Sequence, residues 1–197
     1  FDEVAQVIAR RGPANDGLDV CCGTGAGVRM LKSVCRQSVT GADRVSAMLQ
    51  KARIIIGKHE PGPATRFVES DALALPFKAA FDVATCFGAF GHIEVQDEPA
   101  FIASVAQALR PSGRFYFVTT EMPPKTSRVY WSARGFNAVM RVRNALIQPP
   151  FIMYYLTFLW PDIGERRCAG GFSDAEIVHR IGDPDFRWLV VEARKCP

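Results

Sequence analysis

Residues 18–27 decide the fold, and they are Leu18-Asp19-Val20-Cys21-Cys22-Gly23-Thr24-Gly25-Ala26-Gly27. This pattern predicts a strand that turns tightly, over glycines, into a helix. Glycines let a backbone approach a ligand closely, and the start of a helix offers N–H groups without helical partners. Asp43 follows 20 positions beyond Gly23, where a carboxylate at the end of the next strand can accept from both ribose hydroxyls. The layout therefore favours a nucleoside ligand with a charged part at the turn.

The spacing of the glycines discriminates between cofactors that contain a nucleoside. Turns that bind dinucleotides place glycines at relative positions zero, two and five. Here glycines stand at 23, 25 and 27, and position 28 is a valine. This spacing argues against NAD.

Five motifs in order along the chain resemble the class I S-adenosylmethionine-dependent methyltransferases, in the small-molecule branch often called type 11. In the family's first motif an acid precedes Gly-x-Gly-x-Gly. Asp19 matches the acid, Gly23 and Gly25 match the second and third glycines, and Cys21 replaces the first. The other motifs are Thr40-Gly41-Ala42-Asp43 with Ser46, Met48 and Ala52-Arg53; Ser70-Asp71-Ala72 with Leu75-Pro76-Phe77; residues 81–87; and Leu109-Arg110-Pro111-Ser112-Gly113-Arg114, with Ser112 where glycine is common.

The resemblance implies S-adenosyl-L-methionine as cofactor and S-adenosyl-L-homocysteine as product. Asp43 would accept from the ribose, Asp71 from the adenine amino group, and Phe87 and Gly88 would form the floor of the site. A helix-cap role for Asp71 and a core role for Phe87 remain open. The implied cofactor residues are Asp19, Cys21, Gly23, Thr24, Gly25, Asp43, Arg44, Met48, Asp71, Ala72, Phe87 and Gly88.

His92, which follows the predicted fourth strand, is the candidate catalytic base, because an imidazole titrates near neutral pH. The alternative is a histidine that bonds loop backbone. His59 and His179 are expected to be structural or on the surface. Aromatic side chains suit a pocket for a partly apolar metabolite, although helically spaced aromatics also build cores. The substrate candidates are His92, Glu121, Tyr130, Trp131, Tyr154 and Tyr155, with Phe136 nearby.

Helix and strand patterns alternate, which predicts an α/β fold with a doubly wound sheet and helices on both faces. Predicted strands cover 16–22, 38–43, 65–70, 81–87, 114–120, 175–181 and 186–193. Predicted helices cover 1–11, 25–35, 46–56 (capped by Ser46), 98–109, 126–147 and 161–170. The resemblance implies seven mostly parallel strands in the order 3-2-1-4-5-7-6, with the last strand antiparallel and paired in a terminal hairpin.

The chain is predicted to be one domain, 1–197, with a helical and aromatic insertion at 121–160. An insertion that leaves the carboxyl end of the fifth strand lies beside the ligand crevice, so we expect it to act as a substrate lid. The chain opens at Phe1, and we expect its natural amino terminus to be missing.

Composition excludes several classes of protein. The net charge is only +4 and the basic residues are scattered, which argues against a nucleic-acid partner. Arg128, Arg134, Arg141 and Arg143 are interpreted as a solvated helix face, or as contacts for an anionic substrate. Six cysteines without disulfide or zinc spacing predict no metal and a reducing cytoplasm. Apolar runs are too short for a membrane span, and we expect a monomer or homodimer.

The leading prediction is an S-adenosylmethionine-dependent methyltransferase (EC 2.1.1.-) that acts by in-line displacement on a small, partly apolar metabolite. One alternative is an NAD(P)- or flavin-dependent oxidoreductase. The other is a non-catalytic, cofactor-binding partner subunit whose apolar segment 151–160 docks on another protein.

Overall fold

The structure, a computed structural model, describes residues 1–57, 62–88, 90–148, 151–160, 162, 170–182 and 188–197. The described strands are β1 (Ala14–Val20), β2 (Cys35–Asp43), β3 (Ala64–Glu69), β4 (Phe81–Cys86), β5 (Leu109–Thr119), β6 (Phe172–Ile181) and β7 (Trp188–Lys195). The described α-helices are α1 (Asp2–Arg10), α2 (Ala26–Lys32), α3 (Ser46–Ile56), α4 (Glu98–Ala108) and α5 (Arg128–Leu146). Short 3-10 turns lie at Ala72–Ala74 and Phe90–His92.

The strands form one sheet in the order β3-β2-β1-β4-β5-β7-β6. Strands β1 to β5 are parallel, and β7 runs antiparallel to both β5 and β6. The predicted order and the antiparallel last strand are confirmed. The direction of winding reverses between β1 and β4, and in open α/β sheets ligands bind at the carboxyl ends of strands beside such a point.

Apolar side chains cover both faces of the sheet. On one face, Phe101 of α4 packs with Phe115, Phe117 and Phe158. On the other face, Val28 of α2 belongs to a second cluster with residues of α1 and α3. Strand β4 is covered on both sides, and all its residues except the half-buried Asp82 are buried, as expected for a central parallel strand. Its sequence was predicted as an apolar run, but it also contains the polar Thr85, which bonds Asp19.

Some predicted bounds were wrong. Helix α2 ends at Lys32, so β2 begins at Cys35 and not at residue 38. Leu109 already pairs with Phe81, and pairing then resumes at Arg114 with Val83. Strand β5 therefore starts five residues before its predicted start, and the turn-forming residues 110–113 interrupt its pairing. Strand β6 starts at Phe172 rather than at residue 175.

The helix caps also differ from the prediction. The N-cap of α3 is Val45, and Ser46 is the first helical residue, because Asp43 Oδ1 accepts the Val45 N–H at 2.8 Å and fixes the entry to the helix. Helix α5 begins at Arg128, where Ser127 Oγ accepts the Tyr130 N–H at 3.1 Å. His59, the predicted turn at 183–185, and all but residues 162 and 170 of the predicted helix 161–170 lie outside the described residues.

Candidate functional site

The turn between β1 and α2 has a left-handed backbone. The φ angles are +56° at Cys21, +52° at Gly23 and +92° at Gly25. A Cβ atom added at Gly23 would meet no atom within 4 Å, so this residue faces open space. Thr24, the next residue, is exposed. The turn thus presents its backbone at the crevice.

Asp19, in β1, lies between strand β4 and the first turn of α2. The residue is 2% exposed, and its carboxylate accepts a hydrogen bond from Thr85 Oγ1 of β4 at 2.8 Å. Burial raises its pKa to about 7, although hydrogen bonds from Thr85 and from the Val28 backbone oppose this shift. A Cβ atom at Gly27 would lie 2.5 Å from both carboxylate oxygens. Gly27 was missed as a functional residue, because its requirement comes from this contact and not from the motif spacing.

Asp43 joins the turn to the end of β2. Its Oδ2 accepts the N–H of Gly23 at 2.8 Å, and its Oδ1 accepts the N–H of Val45 at 2.8 Å. A carboxylate has about four acceptor positions, so two remain for other donors. Arg44 and Met48, also predicted at the cofactor, are exposed beside it.

The end of β3 is tied to Asp43. The N–H of Ser70 donates to the Asp43 carbonyl at 3.0 Å. Asp71 Oδ1 accepts the N–H of Leu73 at 2.9 Å and caps the 3-10 turn, so the cap role left open for Asp71 is present in the structure. Ser70 Oγ is a buried hydroxyl without a hydrogen-bond partner among the described residues. Ala72 is half-buried.

Phe87 and Gly88 end β4. Phe87 is half-buried and contacts the ring of Phe1, with a centroid distance of 5.6 Å. Gly88 has a φ of +81°, and a Cβ atom there would meet nothing within 4 Å. Open space therefore borders the ends of both β1 and β4.

The segment 151–160 crosses the sheet edge next to β4 and β5. The Tyr154 N–H donates to the Gly91 carbonyl at 2.7 Å. Phe158 is buried, and its N–H donates to Glu98 Oε1 at 2.7 Å. The segment is not helical. Among the described residues of the predicted insertion, 121–148 and 151–160, the α-helix is therefore confined to α5.

His92 contacts this segment at two of its residues. Its Nδ1 is 2.5 Å from the carbonyl oxygen of Ile152, and its ring contacts that of Phe151 at 6.3 Å between centroids. His92 therefore bonds backbone, as its structural alternative predicted, but it does so to the insertion and remains exposed.

The predicted substrate residues other than His92 lie on α5 and in the segments before and after it, and they do not all face the same way. Tyr154 is half-buried beside Gly91, and Tyr155 contacts the ring of Phe136 at 4.9 Å. Tyr130 is half-buried, whereas Trp131 is 62% exposed on the outer face of the helix. Glu121 is exposed and forms an isolated bridge with Trp160. The structure thus places the Tyr154 backbone next to Gly91 and its side chain against α5, where Asn144 Nδ2 donates to the Tyr154 hydroxyl at 3.2 Å. Trp131 lies apart from both.

The described residues contain no group of three or more His, Cys, Asp or Glu side chains that could hold a metal ion. Within the same part of the chain, no helix is long and apolar enough to cross a membrane. His179 is half-buried and interacts with Glu3 at 3.2 Å, remote from the crevice in the sheet order.

These features fit a nucleoside bound at the sheet edge. The spaces at Gly23 and Gly88 admit a ligand, the Ser70 hydroxyl has no partner in the described part of the chain, and Asp43 retains acceptor positions. The residues that would hold S-adenosylmethionine are thus present along one edge.

Comparison with known proteins identifies the family. Residues 18–113 match the family model described as "Methyltransferase domain". A demethylmenaquinone methyltransferase of Thermus thermophilus is 37% identical over 171 residues, which cover 79% of this chain and 73% of the relative. A 2-phytyl-1,4-naphtoquinone methyltransferase of Nostoc punctiforme is 34% identical, over 51% of this chain and 44% of its own length.

A solved structure shares the fold. The 1,6-didemethyltoxoflavin-N1-methyltransferase of Burkholderia thailandensis, with bound S-adenosylhomocysteine, has a TM-score of 0.65 and 24% identity, covering 98% of this chain and 76% of that chain. The prediction of an S-adenosylmethionine-dependent enzyme acting on small molecules is confirmed, and the oxidoreductase alternative is not supported. The chain therefore belongs to the class I S-adenosylmethionine-dependent methyltransferases.

Proposed function

We propose that this enzyme methylates a hydroxyl-bearing aromatic ring of the reduced naphthoquinone type, and that His92 removes the hydroxyl proton. The printed names of the Thermus thermophilus and Nostoc punctiforme relatives support the class of substrate. The observation that carries the role of His92 is the 2.5 Å contact between its Nδ1 and the Ile152 carbonyl.

That contact determines which imidazole nitrogen is basic. A carbonyl oxygen only accepts hydrogen bonds, so Nδ1 must carry the hydrogen and Nε2 of the neutral ring keeps its lone pair. Removal of a ring hydroxyl proton by Nε2 raises the electron density on the oxygen and on the ring carbon next to the carbon that bears it. Transfer of the methyl group to the oxygen then needs no further proton loss. Transfer to the ring carbon is completed when that carbon loses its own hydrogen as a proton to water, which restores the aromatic ring.

The bound cofactor supplies a methyl group on a positively charged sulfur, which is already a good leaving group. The protein needs to hold the acceptor in line with that methyl group and to exclude water. In this proposal Asp43, Asp71 and the turn at 21–25 hold the cofactor. The insertion 121–160 covers the acceptor, with Tyr154 beside its ring.

Transfer of labelled methyl groups to 1,4-dihydroxynaphthalenes tests the proposal. We expect His92→Asn to lower kcat by about a hundredfold or more and to leave the Kd for S-adenosylhomocysteine unchanged. His179→Asn is the matched control, because His179 contacts Glu3 away from the crevice. Unchanged kcat in His92→Asn would refute the base, and transfer to amines but not to naphthols would refute the substrate class.

We also propose a cytoplasmic location and a monomer or homodimer. Five cysteines in the described part of the chain are free thiols, namely Cys21, Cys22, Cys35, Cys86 and Cys196, which supports a reducing compartment. Fractionation of cells and light scattering of the purified protein test these two statements.

A further inference from the structure

Helix α5 carries an apolar stripe that faces away from the protein. All 19 of its residues are described, and none is buried. The stripe consists of Trp131, Val139, Val142 and Leu146, which are 62%, 66%, 60% and 78% exposed. Their spacing of 8, 3 and 4 residues places them on one side of a helix. A helix in a globular protein normally buries such a stripe.

The opposite side of α5 is already occupied. Asn137 exchanges two hydrogen bonds with the backbone of Tyr155, at 2.7 and 2.8 Å, and Asn144 exchanges two with the backbone of Phe151, both at 3.0 Å. Tyr130 is half-buried on this attached side. These bonds fix the rotation of the helix, so the apolar stripe faces outward.

The charge around the stripe has a single sign. Residues 122–161 include five basic side chains, Lys125, Arg128, Arg134, Arg141 and Arg143, and no aspartate or glutamate. The net charge of the whole chain is +4, so the charge of +5 in this region exceeds it, and the rest of the chain carries a net charge of −1. Lys125 and Arg128, just before and at the start of α5, are exposed. Arg134 and Arg141 lie over the rings of Tyr130 and Tyr154, each 5.9 Å from the ring centroid, and therefore belong to the attached side. An apolar stripe next to basic residues, without acidic ones, is typical of a helix that lies in a membrane interface.

We propose that α5 docks the enzyme onto the surface of an anionic phospholipid bilayer. The stripe would enter the boundary between headgroups and acyl chains, and Lys125 and Arg128 would contact lipid phosphates. A second copy of the chain fits this surface poorly, because two like-charged regions would face each other. A nucleic acid would match the charge but leave the stripe exposed to water.

Docking in this orientation has a consequence for the site. Segment 151–155 is bonded to α5 on one side and to Gly91 and His92 on the other. The membrane would therefore lie next to the cover of the active site, on the side from which an acceptor with an apolar chain would enter. This consequence for substrate entry depends on the proposed function, whereas docking itself does not.

Co-sedimentation with phosphatidylcholine vesicles, with and without 30 mol% phosphatidylglycerol as a chosen test composition at about 0.1 M salt, tests the proposal. We expect binding only to the anionic vesicles. Each exposed basic residue near the surface contributes about fivefold in affinity, so Lys125→Gln with Arg128→Gln should weaken binding about 25-fold. Arg36→Gln with Arg180→Gln is the matched control, since both residues are exposed outside α5 and the charge change is equal.

Val139→Asp with Val142→Asp tests the stripe, and we expect binding to be lost. Unchanged affinity for S-adenosylhomocysteine and an unchanged Tm would show that this variant folds. Equal binding to neutral and anionic vesicles, or equal weakening by both pairs of charge substitutions, would overturn the proposal. A dimer in light scattering that Val139→Asp with Val142→Asp dissociates would assign the stripe to a second copy and overturn it as well.

Discussion

The carboxylate of Asp19 occupies the space that a side chain at residue 27 would need. A Cβ atom built on Gly27 lies 2.5 Å from both oxygens of Asp19, below any normal contact distance. Asp19 cannot move away easily, because it is buried in a central strand and bonded to Thr85. The close approach of α2 to β1, which presents the turn at 21–25, therefore depends on this glycine.

We expect Gly27→Ala to destabilise the protein by about 1 to 3 kcal/mol, the usual range for an overpacked core, and to weaken binding of S-adenosylhomocysteine. Gly135→Ala is a matched control, because Gly135 is also helical and a Cβ atom there meets nothing within 4 Å. That change should stabilise the protein by up to about 1 kcal/mol. Urea unfolding and calorimetric titration measure both effects, and a neutral Gly27→Ala would contradict the contact.

The buried Asp19 predicts a dependence of stability on pH. Burial raises its pKa to about 7 from the ordinary 3.8, so between these values the folded protein binds more protons at this group than the unfolded chain does. Its favourable contribution is complete below about pH 4 and is lost as the pH rises through 7.

Asp19→Asn removes this titration and keeps an oxygen that can accept from Thr85. We expect the free energy of unfolding of Asp19→Asn, relative to the natural protein, to rise between pH 4 and about pH 7 and to level off by pH 8. Denaturant curves at four pH values measure it. A difference that stays constant over this range would show that the pKa of Asp19 is not raised.

At two positions where the family commonly has glycine, this chain has another residue with a left-handed backbone. Cys21 and Ser112 stand where glycine is common, and both have left-handed φ angles, +56° and +60°. A residue with a side chain in this region costs roughly 1–2 kcal/mol. We therefore expect Cys21→Gly and Ser112→Gly each to stabilise the protein by about 1 kcal/mol, with nearly additive effects, because they lie near opposite ends of the sheet.

Ser33→Gly is the control for these substitutions, since Ser33 has a φ of −81° and glycine there only adds freedom to the unfolded chain. It should destabilise the protein. Thermal unfolding of the three variants and the double variant measures the effects. A loss of stability in Cys21→Gly would mean that its thiol packing outweighs the backbone strain.

Local patterns predicted much of the fold and part of the candidate site. Glycines and a following acid placed Asp43 at the turn, where its carboxylate accepts the Gly23 N–H. Apolar runs and turn residues gave the order of elements, and the resemblance gave the strand order. The requirement for Gly27 and the start of β5 at Leu109 depend on contacts between separate elements, which no local pattern encodes.

The segment 151–160 is a clearer example of a conformation that local sequence patterns do not predict. Its apolar residues suit a buried helix or a strand equally well, yet it adopts neither conformation. Its path is determined by bonds to side chains of α5, to Gly91 and to Glu98. For the same reason, periodicity could not separate the half-buried Tyr130 from the outward Trp131.

Two asparagines of α5 hold segment 151–155, and the number of their hydrogen bonds allows an estimate of how rarely the segment opens. Asn137 and Asn144 each exchange a pair of hydrogen bonds with its backbone, at Tyr155 and at Phe151. Because such a bond contributes about 1 kcal/mol, loss of one pair should raise the open population of the segment by roughly tenfold or more. The bonds are local and exposed, so global stability should change little.

Chymotrypsin, which cleaves after aromatic residues, reports this opening at Phe151, Tyr154 and Tyr155. We expect Asn137→Ala with Asn144→Ala to be cleaved there at least ten times faster than the natural protein, with a Tm shift of only a few degrees. Asn15→Ala is the control, because Asn15 is exposed and uses its backbone N–H, not its side chain, to bond Asp82. If the double variant is cleaved no faster than Asn15→Ala, the asparagines do not hold the segment, and its contacts with Gly91 and His92 suffice to keep the site covered.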